Sequence, residues 1–291
     1  MRNSIVPSLA AALALLVMAQ ADDYAQGGQG AAGEPLISQG VVKMPNPPGP
    51  APKRDLSGTW VGPRAGAPAD NAGRPDPIPP MTPAGQAAFK EHKSYGDATR
   101  SGPNAPTEQV SNDPFITCDP LGFPRTLLGQ SIESRGALTF GSAPNRTLML
   151  YQQQTVFREI WTDGRALPKA VDVKDAPESR YYGYSIGHWE NDYTFVIETT
   201  GFDERPWLDE AGHPRSPMAH ITERYTRKDQ YNIDLTVTVD DPKYYTKPWV
   251  FARGHYYWKK DQQAAEWFCF PSEALDYRDR VARPSGIVDV K

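Results

Sequence analysis

The sequence lacks the short motifs that mark the common enzyme classes. It has no G-x-G-x-x-G after a strand, no Walker loop and no H-E-x-x-H pair, and its one G-x-S-x-G, at 183–187, lies in a predicted β-hairpin and not at the strand-to-helix turn of a nucleophile elbow. Serine hydrolysis, nicotinamide or nucleotide chemistry and zincin proteolysis therefore have no support. Cofactor-free chemistry and plain binding remain, so we expect no cofactor.

A basic surface and long apolar segments are also missing. The chain has 31 basic and 35 acidic residues, a net charge of −4, and no basic stripe. Since nucleic-acid binding needs a positive patch, we exclude a nucleic-acid partner. No apolar run reaches the roughly 20 residues that span a bilayer, so no membrane insertion is expected once the signal segment is removed.

The N-terminus has the organisation of a secretory signal peptide, residues 1–21. Arg2 supplies a positive charge, residues 5–18 form a short apolar run, and Ala19-Gln20-Ala21 fits the small-x-small cleavage rule. Cleavage removes one charged side chain, Arg2, and changes the net charge from −4 to −5. An uncleaved interfacial helix is the alternative, but no basic face accompanies the apolar run. The sequence therefore predicts a periplasmic or secreted protein.

Only two cysteines are present, and both fall in the exported part of the chain. Cys118 lies in ITCDPLGFPR and Cys269 in EWFCF, about 150 residues apart. Thiols in an oxidising compartment are normally joined, so we predict one disulfide, which in the loop-entropy description restricts the unfolded chain by about 5 kcal/mol. Two buried free thiols are the alternative. Two cysteines without clustered histidines make a poor metal site, and no metal is predicted.

Composition divides the exported chain into a tether and one domain. Residues 22–54 are rich in Gly and Pro without apolar periodicity, which is typical of a flexible tether. Residues 55–291 are expected to form a single domain. Prolines recur through residues 61–114, so this segment is predicted to wrap around the core, with disorder as the alternative. Its one short helix is predicted at 83–91, with Thr82 as N-cap and Pro83 at the first position.

Beyond residue 137, short alternating runs are separated by turn residues about every ten positions. This pattern is typical of an antiparallel sheet closed as a barrel or sandwich, and it predicts an all-β fold without further helices. In the clearest run, residues 231–240, alternate positions share one apolar face: Ile233, Leu235, Val237 and Val239. The other strands are predicted at 147–151, 156–161, 183–200 (a hairpin), 221–226, 249–258 and 265–270.

LSGTW, residues 56–60, resembles the G-x-W opening of the lipocalin and calycin barrels, in which the tryptophan closes one end. The resemblance implies an antiparallel lipocalin-like β-barrel, here with a Pro-rich N-terminal wrap and one short helix. In that superfamily an arginine after the last strand packs on the tryptophan. Arg253 and Arg280 are both candidates for this role, and the choice between them stays open.

Several longer motifs are spread over most of residues 55–270. They read DLSG-x-W, CDP-x-GFPR, TDGR, G-x-S-x-G-x-W, E-T-x-GF, GHP, H-x-TER and DDPK-x-Y-TKPW, at 55–60, 118–125, 162–165, 183–189, 198–202, 212–214, 220–224 and 240–249. Together they resemble those of a large group of exported bacterial proteins. The resemblance implies a shared fold and export, and it implies no particular reaction.

The hairpin at 183–200 is where the sequence suggests a site. With Asn191-Asp192 as a two-residue turn, Ser185 is predicted opposite Glu198. The same predicted face carries Gly183, Gly187, Trp189 and Val196. Glycine in a strand interior often marks the close approach of a ligand or of another backbone. Two interpretations follow: a concave site beside one carboxylate, or glycines that accommodate a bulky core neighbour.

The strand HITERYTR supplies possible partners for Glu198. Alternation places His220 and Arg224 on one face, and a carboxylate beside either of them could act as a general acid or base. Arg158 or Arg224 would then stabilise developing negative charge. A structural Glu–Arg lock within the barrel is the alternative. His213, seven residues before His220, could join it as a metal pair, but the sequence offers no clear third ligand.

Aromatic residues are plentiful, with 7 Trp and 14 Tyr, and GHYYWKK places three in a row. Inside a barrel they suit an apolar or aromatic small molecule, whereas outside they are ordinary strand formers. The candidate ligand-binding residues are Tyr184, Ser185, His188, Trp189 and Tyr257. The first hypothesis is an exported β-barrel that binds such a molecule. The others are a cofactor-independent lyase, isomerase or cyclase and a structural envelope protein.

Overall fold

The computed structural model describes residues 48–62, 76–93, 112–127, 137–168, 178–209, 211–259, 264, 266, 268–277 and 279–280. The predicted signal peptide and residues 22–47 of the predicted tether lie outside these ranges. Residues 48–54, the end of that tether, are bonded to the domain. The Gln230 N–H donates to the Gly49 carbonyl at 2.9 Å, and the Lys53 ammonium lies 2.8 Å from the Asp192 carboxylate.

Nine strands of the described chain form a closed barrel in sequence order. They are β1 (Gly58–Val61), β2 (Ala137–Ala143), β3 (Arg146–Tyr151), β4 (Val156–Trp161), β5 (Tyr184–Trp189), β6 (Thr194–Thr200), β7 (His220–Arg227), β8 (Asn232–Asp240) and β9 (Trp249–Trp258). The predicted all-β barrel is confirmed. One neighbouring pair departs from the predicted antiparallel order, because β4 and β5 run parallel. Residues 162–183 provide the long crossover that a parallel pair requires.

The two ends of the barrel differ in their connections. At one end, the turn end, short turns join the strands at 144–145, 190–193 and 228–231. At the other, the loop end, the connections are 62–136, 152–155, 201–219 and 241–248. Residues in loops are not held by the hydrogen bonds between strands. Side chains at the loop end can therefore be arranged into a site more freely than those of the barrel wall.

Alternation selects the inner wall of the barrel. In β8, the residues predicted to share the apolar face, 233, 235, 237 and 239, are all buried, and the polar residues between them are half-buried. Strand β7 follows the same rule, with Ile221, Glu223 and Tyr225 buried between half-buried neighbours. Removing apolar surface from water, at roughly 25 cal/mol per Å², is what holds these strands against the core.

Trp60 of the G-x-W opening packs at the turn end. It is fully buried, its indole Nε1 donates to the Leu56 carbonyl at 2.8 Å, and the Arg227 guanidinium carbon lies 4.8 Å from its ring centroid. Neither arginine proposed from the resemblance fills this role, since Arg253 and Arg280 each pair with an aspartate. The partner is Arg227 because it ends β7 at the turn end, where the chain enters β1.

Two short α-helices occur in the described ranges, α1 (Pro83–Glu91) and α2 (Pro271–Tyr277). The first begins as predicted, with the Thr82 hydroxyl accepting from the Gly85 N–H at 3.1 Å and Pro83 in the first turn. The second was not predicted. The strand predicted at 265–270 is wrong for residues 268–270, which are irregular and lead into a helix that starts at a proline. Neither helix is long and apolar enough to cross a membrane.

Cys118 and Cys269 form the predicted pair at disulfide distance, with Cα atoms 5.3 Å apart across 151 residues of sequence. The pair joins the segment before α2 to the end of a short 3-10 helix at Pro114–Thr117. Cys269 lies in irregular chain, because residues 268–270 are not a strand. A disulfide pair fits an oxidising compartment.

Candidate functional site

Strands β5 and β6 pair one residue out of the predicted register. Ser185 lies opposite Thr199 and Glu198 opposite Ile186, because four residues separate the strands where a two-residue turn was predicted. The Asn191 Oδ1 stabilises this turn by accepting two backbone N–H groups at 2.8 and 2.9 Å. A slip of one residue moves a side chain to the opposite face. The predicted shared face of Ser185 and Glu198 is therefore wrong.

Gly187 of β5 and Gly183, just before that strand, leave no concavity for a ligand. A Cβ atom at Gly187 would lie 2.5 Å from Phe195 Cζ and 2.7 Å from Ile160 Cγ2, so these two side chains fill the space. At Gly183, φ is +67° and a Cβ would lie 2.7 Å from Thr199 Cγ2. Of the two interpretations, accommodation of bulky core neighbours is confirmed.

The barrel wall divides the candidate residues between its two faces. Arg158, Ser185 and Trp189 lie on the inner face. The outer face carries Tyr184, His188, Glu198, His220, Arg224 and Tyr257. Arg158 therefore does not meet the other three residues of the predicted catalytic set. In GHYYWKK the buried ring is that of Tyr256, whereas the Tyr257 ring lies edge-on to His255, with centroids 4.5 Å apart.

Glu198 and His220 do meet, on the outer face. Glu198 Oε1 lies 3.3 Å from His220 Nε2, and the two side chains are 34% and 38% exposed. The approach is not aligned as a hydrogen bond, since Nε2 is shielded from water yet has no hydrogen-bond partner among the described residues. Arg224 pairs with Glu190 instead of Glu198. The pair is a half-buried contact on the outer face of the wall.

His213, which was considered from sequence as a metal-binding partner of His220, contacts Asp209 in the structure. Its Nδ1 lies 2.6 Å from Asp209 Oδ2, and its ring stacks on Phe89 of α1. Nearby, the His92 ring stacks on Trp207, with centroids 4.5 Å apart. Burial lowers the pKa of His92. No cluster of three potential metal ligands occurs within the described ranges.

An ion pair occupies the interior near the loop end. The Arg158 Nη1 and Nη2 donate to the Glu223 carboxylate at 3.2 and 2.9 Å, and both side chains are at most 2% exposed. The Tyr225 hydroxyl donates to the same carboxylate at 2.9 Å. Arg158 also donates to three hydroxyls between 2.8 and 3.0 Å away, those of Tyr151, Ser185 and Thr199. A buried, matched Glu–Arg pair is thus present, and its glutamate is Glu223.

The surroundings of this cluster keep the Arg158–Glu223 pair charged and keep the Tyr151 and Tyr225 hydroxyls neutral. Burial opposes the charge of Arg158, but the Glu223 carboxylate raises the pKa of Arg158 above its usual range. Burial raises the pKa of Tyr151 and of Tyr225 well above that of a free phenol. Both hydroxyls therefore stay protonated near neutral pH and serve as hydrogen-bond groups, not as bases.

Below the ion pair, toward the turn end, side chains meet across the barrel. Phe140 of β2 and Tyr225 of β7 make an edge-to-face contact, with ring centroids 5.1 Å apart. These strands are not neighbours in the sheet, so the contact spans the interior. At this depth, side chains from opposite parts of the wall touch across the interior.

Residues 118–127, which we call the plug, cover the ion pair at the loop end. Phe123 is fully buried, and its ring centroid lies 3.9 Å from the Arg158 guanidinium carbon. Arg125 anchors the plug through two hydrogen bonds of 2.8 and 2.6 Å to the Asp113 carboxylate. The CDP-x-GFPR motif therefore forms most of the plug, and its one aromatic ring, that of Phe123, lies on the buried Arg158 guanidinium.

Arg215, in the 201–219 connection, holds the plug from the other side. Its guanidinium donates to the carbonyl of Phe123 and, at 2.6 Å, to the carbonyl of Asp203. The ring centroid of Phe202 lies 4.4 Å from its guanidinium carbon. Burial lowers the pKa of Arg215 to about 9. Arg215 is thus a buried cation whose contacts are neutral.

Glu223, Phe123 and Arg215 are missing from the residues predicted for the site. A signal existed for Glu223, because alternation in HITERYTR places it between Ile221 and Tyr225 on one face. A carboxylate on the apolar face of a strand indicates a buried partner. Phe123 and Arg215 lie in loops, where no periodic pattern assigns a direction to a side chain.

A scan against protein-family models, a search of curated proteins and a search of solved structures each find no match to this chain.

Proposed function

We propose that this protein, exported as its N-terminus predicts, binds a small aromatic molecule at the loop end of the barrel, in the place of the Phe123 ring. The observation that carries the proposal is the stack of that buried ring on the Arg158 guanidinium at 3.9 Å. A guanidinium face favours an aromatic ring, and more so away from water. Without a ligand, the Phe123 ring itself occupies the proposed binding position over Arg158.

The groups around the Phe123 ring suit a planar guest. The charge of Arg158 is already matched by Glu223, so a neutral ring can cover the guanidinium without leaving it unpaired. The Arg158 Nε is buried without a hydrogen-bond partner in the described part of the chain. Burial raises the pKa of the nearby Tyr182 to about 12, so its hydroxyl is a neutral donor. The Arg158 Nε–H is the unsatisfied group, and an acceptor atom on the guest would give it a partner.

Binding requires the Phe123 ring to leave, because the Phe140 and Tyr225 side chains meet across the barrel beneath it. The plug belongs to a connection and not to a strand, so its movement breaks no hydrogen bond of the sheet. The wild-type protein should therefore bind weakly, since the guest competes with a ring that is held in place by the chain.

Removal of the Phe123 ring tests the proposal. We expect Phe123→Ala to bind the neutral fluorescent probe N-phenyl-1-naphthylamine at least about tenfold more tightly than the wild type. Phe157→Ala is the matched control, because Phe157 is 69% exposed on the outer face of β4. Near-UV circular dichroism checks that each variant keeps its packed core. A folded Phe123→Ala that binds no more probe than Phe157→Ala would overturn the proposal.

The packed interior favours a second candidate, a structural envelope protein without a small-molecule ligand. The contact of Phe140 with Tyr225 across the barrel supports it. The same titration distinguishes the two candidates. The acid–base enzyme is not carried forward, because Glu198 and His220 meet on the outer face of the wall, away from Arg158, and Arg224 pairs there with Glu190.

A further inference from the structure

Arg215 differs from the other two buried arginines of the loop end in what it contacts. The Arg125 and Arg158 guanidinium groups each lie within 2.9 Å of a carboxylate, at 2.6 and 2.9 Å. Arg215 is 1% exposed, and its Nη groups donate to main-chain carbonyls, while its Nε has no hydrogen-bond partner among the described residues. Buried charges are normally paired, so this arrangement needs an explanation.

The nearby carboxylates are engaged elsewhere. Asp203 pairs with Arg205 at 2.8 Å, and Asp241 accepts from the N–H and the hydroxyl of Ser216 at 2.7 and 2.6 Å. Both carboxylates favour the charged form of Arg215 from a distance, yet burial has the larger effect and lowers its pKa to about 9. The guanidinium is therefore short of negative charge.

One bond of Arg215 depends on the plug. Its acceptor is the carbonyl of Phe123, the residue whose ring covers Arg158. A guest in the place of that ring therefore lies beside this guanidinium, whose Nε has no hydrogen-bond partner among the described residues. A carboxylate or sulfonate on the guest would give this Nε–H an acceptor in a charge-assisted hydrogen bond, which is the stronger kind.

We infer that the guest is a small aromatic acid, with its ring over Arg158 and its acidic group on Arg215. The inference rests on the proposed function, since it requires the guest to take the place of Phe123. It adds the chemical class of the ligand and assigns Arg215 as the residue that selects it.

Two probes that differ by one acidic group test the assignment. 8-Anilino-1-naphthalenesulfonate carries a sulfonate on the ring system of the neutral N-phenyl-1-naphthylamine. In Phe123→Ala we expect the sulfonate to bind at least about tenfold more tightly than the neutral probe. Adding Arg215→Gln should abolish this preference and preserve binding of the neutral probe. Adding Arg215→Lys, which keeps a cation, should preserve part of the preference.

Since loss of Arg215 can unfold the loop end, a second measurement uses Phe123→Ala alone. 1-Naphthoate should displace the bound neutral probe at concentrations about tenfold lower than 1-naphthamide, its neutral amide. Equal affinities in either comparison would overturn the aromatic-acid assignment and leave the proposed function standing. Absence of binding by both probes would overturn the proposed function and the inference with it.

Discussion

Two acid–base pairs lie on opposite faces of the same barrel wall. Inside, the Arg158 and Glu223 side chains are 2% and 0% exposed and share two hydrogen bonds. Outside, Glu198 and His220 are 34% and 38% exposed and lie 3.3 Å apart without an aligned hydrogen bond. Similar residue types thus have different surroundings, because alternation along each strand sends neighbouring side chains to different faces.

This difference in exposure determines how much each ion pair contributes to stability. Inside, water cannot replace a missing partner, so the survivor remains as an unpaired buried charge. Outside, solvent screens the pair and replaces either member at little cost. The inner pair also lies beneath the plug, where the proposed ligand would bind, whereas the outer pair has no link to that position in the described residues.

The largest effect is expected from Glu223→Gln. The change leaves the Arg158 charge buried without its carboxylate, and we expect the free energy of unfolding to fall by about 3–5 kcal/mol. Urea unfolding followed by tryptophan fluorescence measures it. The matched control is Arg158→Met combined with Glu223→Leu, which removes both charges and should cost much less. A single-variant loss below about 1 kcal/mol would mean that water reaches the pair.

Tyr225→Phe should have an intermediate effect. It removes the hydroxyl that donates to Glu223 at 2.9 Å and keeps the ring that packs on Phe140. We expect a loss of about 1–3 kcal/mol, because the carboxylate is left short of one donor. Tyr277→Phe serves as the control, since Tyr277 is 63% exposed on α2. Equal unfolding midpoints for the two variants would show that the buried hydroxyl of Tyr225 contributes no more to stability than the exposed hydroxyl of Tyr277.

The burial of His92 should also make the stability of the protein depend on pH. Burial lowers the pKa of His92 from the ordinary value of about 6.5. The unfolded chain therefore takes up the proton more readily than the native protein. The contribution of His92 is fully present above about pH 6.5 and is lost as the pH falls through and below that value.

Urea midpoints of the wild type measured from pH 8 to pH 5 should show this decline. His92→Asn is the comparison, because its side-chain amide keeps a donor near the Gly212 carbonyl that lies 2.6 Å from the His92 Nδ1, but does not titrate. We expect the variant to lose less stability on acidification. Parallel pH profiles for the two proteins would show that His92 does not contribute.

The smallest effect is expected from Glu198→Gln on the outer face. Its partner His220 is exposed to a similar extent, so the unfolding free energy should change by no more than about 0.5 kcal/mol. Thermal unfolding at low and at 0.5 M salt, a concentration where the Debye length is only about 4 Å, tests whether any residual effect is electrostatic. A loss as large as that of Glu223→Gln would show that the outer face is covered and not solvated.

Much of the fold was predictable because it depends on local pattern. Strand β9 at 249–258 and strand β4 at 156–161 have the predicted bounds, and α1 begins at the predicted cap. The candidate site was predicted less well. Arg158 and Ser185 belong to it, but Glu198 does not, because the hairpin turn is longer than the Asn191-Asp192 signal suggested and the register slipped by one residue.

The sequence by itself determined the all-β class, the inner face of each long strand and the pairing of the only two cysteines. These follow from alternation with a period of two residues and from chemistry available to one pair alone. Tertiary structure decided the β5–β6 register, the choice of Arg227 as the partner of Trp60, and the placement of Phe123 over Arg158. Each of these depends on residues far apart in the chain that meet only when the barrel closes, so no local pattern encodes them.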